Sequence, residues 1–193
     1  MLEVEDLTCL RKGRALFSEL SFSVRKGEIL QVVGPNGSGK TTLIRTLVGL
    51  YTNFRGEINW NLSESPLFMG HRSGINDHMT VRENVEWLVS LNDQVFKPSQ
   101  LDDVMKNLGL AKLESIFCAD LSFGQKKKVS IAPFLLSDNL CWLMDEPFSG
   151  LDKNGVALLG KFFGDRMAEG GLIIFSSHQP VSIGGPLRSV VLS

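Results

Sequence analysis

Gly34-Pro35-Asn36-Gly37-Ser38-Gly39-Lys40-Thr41 is the stretch from which the rest of this 193-residue chain is best read. It fits GxxxxGK[ST] at every fixed position, between an apolar run from Glu28 to Val33 and a helical pattern from Lys40 to Gly49. Glycines let the backbone curl so that successive N–H groups face one anion, and the following helix adds the positive end of its dipole. Lys40 then reaches the β- and γ-phosphates, and the Thr41 hydroxyl is placed to ligate Mg²⁺. The loop predicts a nucleoside triphosphate site drawing on Gly34, Pro35, Asn36, Gly37, Ser38, Gly39, Lys40, Thr41 and Thr42.

A second segment supplies the chemistry that such a site needs. Leu140-Cys141-Trp142-Leu143-Met144 is an apolar strand that delivers Asp145 and Glu146 at its carboxyl end, where ligands of a parallel sheet gather. Asp145 is placed to hold Mg²⁺ and Glu146 to polarise an attacking water.

Outward from these two segments, strand and helix patterns alternate. Leu2 to Asp6 and Leu20 to Val24 alternate apolar with polar residues; Glu57 to Trp60 and Pro66 to Met69 are short strand candidates. Leu172 to Phe175 and Ser189 to Leu192 follow a helix predicted over Asp152 to Ala168. The stretch between is helical. Thr80-Val81-Arg82-Glu83 has the form of a capping box, and Pro98 opens another helix that Gly109 stops. The pattern predicts an α/β fold: a P-loop core with a parallel sheet, about 1–72 and 138–193, and an inserted α-helical lobe, about 73–137.

Composition excludes several classes. Twenty Lys+Arg against 21 Asp+Glu give a net charge of −1, which argues against nucleic-acid and polybasic membrane binding. Cys9, Cys118 and Cys141 form no CxxC pair and are expected as buried apolar residues of a reducing compartment. No apolar stretch approaches the ~18–20 residues that cross a bilayer, and the acidic start Glu3-Val4-Glu5-Asp6 is unlike a signal peptide.

Leu121-Ser122-Phe123-Gly124-Gln125, twenty positions before Asp145, resembles the LSGGQ signature of ABC-type ATPases, with Phe123 in place of the first glycine. Ser149-Gly150-Leu151-Asp152 is similar to their D-loop, and His178 to their switch histidine. The resemblance implies that Ser122, Gly124 and Gln125 of one subunit cap ATP held by the phosphate loop of a second, in a head-to-tail homodimer. It also implies that His178 contacts the γ-phosphate, with Glu146 as its catalytic partner, and that separate transmembrane permease subunits complete a transporter. The chain would then sit peripherally on the cytoplasmic face of the inner membrane. Leu30 to Gly34, Gly56 to Trp60, the Gly70-His71 pair and Ser176-Ser177-His178-Gln179 look most like the ATP-binding subunits of the haem exporter of cytochrome c maturation. The alternatives are another ABC transporter, or an ABC ATPase that works without a membrane; the latter usually carries two cassettes or long coiled coils, and this chain has neither.

Three positions depart from that family's pattern. Arg72 occupies the place of the Q-loop glutamine, and Arg11 that of the adenine-stacking aromatic, where its guanidinium can still stack on the base. Pro133 falls inside the signature helix and is expected to kink it or end its first segment. Lys126-Lys127-Lys128 reads as a solvated helix face or, alternatively, as support for the phosphate field at the dimer interface, and Trp87, Phe96 and Phe117 as core of the lobe in preference to a cofactor site. His71 and His78 lack any CxxCH context, so no haem motif is evident.

Overall fold

A computed structural model describes residues 1–62, 64–91, 96–178, 181, 183 and 187–193. The chain forms two compact units: Met1–His71, Leu140–Pro147 and Phe163–Ser193 make the first, and Arg72–Asn139 with Phe148–Phe162 the second.

The first unit contains two sheets. Strands β1 (Leu2–Arg11), β2 (Arg14–Val24) and β4 (Phe54–Trp60) form an antiparallel sheet in the order β2-β1-β4. The two opening strands run further than their alternating cores suggested, because the Lys12-Gly13 turn joins them directly and pairing continues to Arg11 and Arg14. The second sheet is wholly parallel: β5 (Leu67–Met69), β6 (Cys141–Met144), β7 (Leu172–Ser177), β3 (Ile29–Val33) and β8 (Leu187–Val191), in that order.

Side chains alternate across this sheet as the strand period requires. Leu30, Val32, Cys141, Leu143, Leu172 and Ile174 point to one face, where they join Leu43, Ile44 and Leu47 of α1 (Lys40–Leu47) and Leu2, Val4, Leu7 and Cys9 of β1. On the other face Trp142 meets Phe163 edge-on, with centroids 6.3 Å apart, and Phe163 lies 5.5 Å from Phe175. Arg166 stands over the Trp142 ring at 4.8 Å. Phe163 and Arg166 belong to α5 (Lys153–Ala168). All three cysteines are buried and free.

The second unit is helical, built on α2 (Val81–Ser90), α3 (Pro98–Asn107) and α4 (Phe123–Leu136), with short 3₁₀ turns at Ala111–Leu113 and Cys118–Asp120. Thr80 and Glu83 close the capping box that opens α2. Buried Asn84 ties the preceding loop down: its amide donates to the carbonyls of Asn76, Met79 and Thr80 and to Cys118 Sγ. Arg82 binds Asp102 at 2.6 Å and Glu114 at 2.7 Å, and these carboxylates raise its pKa.

Three readings of this unit need correction. Pro133 does not end α4, which runs on to Leu136; the helix is held by its buried face, and a missing N–H costs it one internal bond. Trp87 and Phe117 are exposed, not core. The buried stripe of α2 is Val81, Val85 and Val89, so Trp87 falls on the opposite side. Phe117 precedes buried Cys118 in extended backbone, which turns the two side chains apart. The lysine run is split: Lys126 pairs with Asp77 at 2.6 Å, whereas Lys127 lies on the buried α4 stripe with Ser130, Ile131 and Phe134.

Candidate active site

Four neighbouring strands of the parallel sheet, β5, β6, β7 and β3, end at the same edge, and each releases one functional segment there. From β3 comes the glycine loop. Gly39 caps α1 in the left-handed region at φ 100°, and a Cβ there would stand 2.9 Å from the Phe17 ring of β2, so only glycine fits. Lys40 is 5% exposed, and its Nζ donates to Gly34 O at 2.7 Å and Pro35 O at 2.9 Å. No carboxylate answers this buried ammonium among the described residues, an environment that favours an anion beside it. Buried Ser38 Oγ also has no hydrogen-bond partner among them. Thr41 and Thr42 are half-buried on the first turn of α1.

From β6 come Asp145 and Glu146. Asp145 is 1% exposed, its N–H donates to Met69 O at 2.8 Å, and Oδ1 accepts from the Ser176 hydroxyl at 2.6 Å. Its Oδ2 is buried and unpaired among the described residues. A carboxylate oxygen left so is costly unless a cation neutralises it, so the donor set fits a divalent metal. Glu146 is left-handed at φ 53°, unusual for a non-glycine, and its N–H donates to Ser176 Oγ at 2.9 Å.

From β7 and β5 come two histidines. His178 Nε2 lies 2.8 Å from Glu146 Oε1, and His71 Nδ1 lies 3.5 Å from Oε2. Beneath them Gln31 of β3 donates to Ser177 Oγ of β7 at 2.6 Å, which locks the two strand ends together. Lys40, Asp145, Glu146 and His178 thus stand at one sheet edge. Ser176 and His71 were not among the residues singled out for chemistry. Both lie in stretches that carry the family resemblance, but nothing in their spacing gave them a role, and the strand order brings them to Glu146. Gln179 lies outside the described residues.

The signature segment belongs to the helical unit. Ser122 caps α4, its Oγ accepting the Gln125 N–H at 3.3 Å while Gln125 Oε1 accepts the Ser122 N–H at 2.8 Å. Gly124 lies so close to the D-loop that a Cβ there would stand 2.8 Å from Gly150 O. Phe123 is exposed, with its ring against Gly150, and Asp152 caps α5 by accepting the Gly155 N–H at 2.7 Å. Arg72 is exposed just after His71. Arg11 is exposed beside the β1–β2 turn; the β2 side chains next to the glycine loop are those of Leu16 and Phe17.

The profile of the ABC transporter family matches residues 17–149. The chain belongs to the ABC transporter family. Its relatives include the cytochrome c biogenesis ATP-binding export protein CcmA of Vibrio cholerae serotype O1, 36% identical over 100% of this chain and 98% of that protein. The protein of that name numbered 2 in Salmonella paratyphi A is 40% identical, over 94% of this chain and 91% of its own length. Among solved structures, the ATP-binding subunit of an ABC transporter aligns with TM-score 0.80 and 27% identity, covering 92% of this chain and 79% of that one. An ABC transporter ATP-binding protein of Pyrococcus furiosus shares the fold, with TM-score 0.86, 22% identity and coverage of 99% and 96%. Membership makes this chain an ATP-binding and ATP-hydrolysing enzyme of the ABC type, a class whose subunits dimerise and work with membrane subunits. No helix among the described residues is long and apolar enough to cross a membrane.

Proposed function

We propose that this ABC ATPase is the motor subunit of an exporter serving cytochrome c biogenesis, with haem as the cargo of separate membrane subunits. Similarity to the CcmA proteins over nearly the whole chain supports the pathway. The observation that carries the chemistry is Glu146, fixed beside the buried Asp145 with His178 on its carboxylate.

In this reading ATP phosphates lie in the Gly34–Gly39 loop, and Lys40 turns from its own loop carbonyls to the β- and γ-phosphates. Arg11 would stack on the adenine. Thr41 and Asp145 would hold Mg²⁺, which supplies charge neutralisation at the phosphates. Glu146 takes a proton from the water that attacks the γ-phosphorus, the bond to ADP breaks, and His178 hydrogen-bonds the transferred phosphoryl group. Two copies pair head to tail, so that Ser122, Gly124 and Gln125 of one face the ATP on the other. Ser122 Oγ accepts from Gln125, which leaves its O–H free to donate to phosphate. Membrane subunits dock near Arg72 and the helical unit, on the cytoplasmic face of the inner membrane.

Glu146→Gln tests the chemistry: the variant is expected to bind ATP, remain dimeric and cease turnover, whereas full ATPase activity would remove Glu146 as the base. Affinity capture from membranes tests the assembly. Recovery of polytopic membrane proteins is expected, and ribosomes or DNA without any membrane protein would sink the transporter reading.

A further inference from the structure

The geometry points to His71 as a positioning residue for the Glu146 carboxylate, one that steadies Oε2 when His178 leaves Oε1 for the γ-phosphate. The inference rests on the reading of Glu146 as the base and extends it to a residue to which the sequence assigned no chemical role.

Both histidines reach Glu146 from strands adjacent to its own. The Asp145 N–H bond to Met69 O fixes the end of β5 against the end of β6, and His71 follows two residues later. On the other side Ser176 binds both Asp145 and the Glu146 N–H, and His178 follows two residues later. The two imidazoles therefore flank the carboxylate, with Nε2 of His178 at 2.8 Å from Oε1 and Nδ1 of His71 at 3.5 Å from Oε2.

The two side chains differ in what else is asked of them. His178 Nε2 holds a single hydrogen and cannot serve Glu146 and a phosphoryl oxygen with the same bond. Once it turns to the nucleotide, Oε1 loses that contact while the His71 contact to Oε2 stays in place. His71 faces no such competing demand in the proposed reaction. Its side chain is 58% exposed while that of Glu146 is 8% exposed, so packing does not force the ring onto the acid. An exposed imidazole beside a nearly buried carboxylate is held by the donor chemistry of its ring nitrogen, and a base kept in one orientation acts on water more efficiently.

Steady-state ATPase kinetics on the full chain test this with His71→Ala, His71→Phe, His71→Asn and Glu146→Gln. Asn places its amide nitrogen near the position of Nδ1, whereas Phe keeps the bulk without a donor. Alanine and phenylalanine are expected to lower kcat about 10-fold with KM for ATP within about two-fold, and asparagine to recover most of the loss. A wild-type kcat in His71→Ala, or equal rates for the Phe and Asn variants, would overturn the role of His71. Glu146→Gln separates the two levels: if it is silent while His71→Ala runs at full rate, only the His71 inference fails. If Glu146→Gln itself turns over normally, the reading of the base fails and the His71 role falls with it.

Discussion

Ser176 donates its hydroxyl proton to Asp145 Oδ1 across 2.6 Å and accepts the backbone N–H of the next residue, Glu146, at 2.9 Å. One side chain of β7 thus sets the Asp145 carboxylate and the left-handed backbone of Glu146 together. A left-handed non-glycine residue costs about 1–2 kcal/mol, and this bond helps to offset it. Ser176→Ala leaves a buried N–H and a buried carboxylate oxygen short of a partner. It should lower stability by about 1–3 kcal/mol in denaturant unfolding and reduce kcat more than ATP affinity. Unchanged unfolding and turnover would show that the hydroxyl has no such part.

Lys40→Ala should weaken ATP binding by about 10- to 100-fold, the loss of one or two charge-assisted bonds to phosphate. The unfolding midpoint without nucleotide should not fall, because the wild-type ammonium is buried among carbonyls with no carboxylate partner among the described residues. Calorimetric titration and thermal melts check the two halves separately.

Two substitutions at Ser122 separate its roles. Ser122→Ala removes the α4 cap and should cost about 1 kcal/mol of stability along with turnover. Ser122→Asp keeps a good cap, so stability should be retained, while in the proposed head-to-tail dimer its negative charge would repel the partner's phosphates and ATP-dependent dimerisation should fail. Dimerisation of the aspartate variant with ATP would remove Ser122 from the nucleotide interface.

Burial pushes the Cys141 thiol up to about 12 from an ordinary 9.0. The folded chain therefore keeps the proton that the unfolded chain releases above pH 9. Stability from this group is fully present below pH 9 and is lost toward pH 12, by at most about 1.4 kcal/mol per pH unit. Cys141→Ala should flatten that alkaline limb relative to wild type in pH-dependent urea unfolding. An identical slope in the two proteins would refute the burial effect.

What could be read in advance was local. The glycine loop, the capping box at Thr80 and the carboxylates at the end of β6 each lie within a few consecutive residues, so spacing alone carries them. Ser176 and His71 act on Glu146 from 30 and 75 positions away in sequence, across strands whose neighbours only the sheet order decides. The aromatic side chains of the lobe fail for a related reason. Trp87 is apolar enough for a core, yet its phase on α2 puts it opposite the valine stripe, and composition does not report phase. Lys127 shows the converse, a charged residue whose position on α4 outweighs its type.

The place of β3 between β7 and β8 has a consequence for biosynthesis. The strand that carries the glycine loop leaves the ribosome well before both of its hydrogen-bonding neighbours, β7 and β8. At about 5–20 residues per second, a gap of roughly 140 residues leaves Ile29–Val33 without pairing partners for about 7–30 s. During that interval five apolar-rich residues present open backbone edges on both sides, the kind of segment that nascent chains need shielded from one another. The edges of the strand that leads into the glycine loop are then closed only after β7 and β8 have been made.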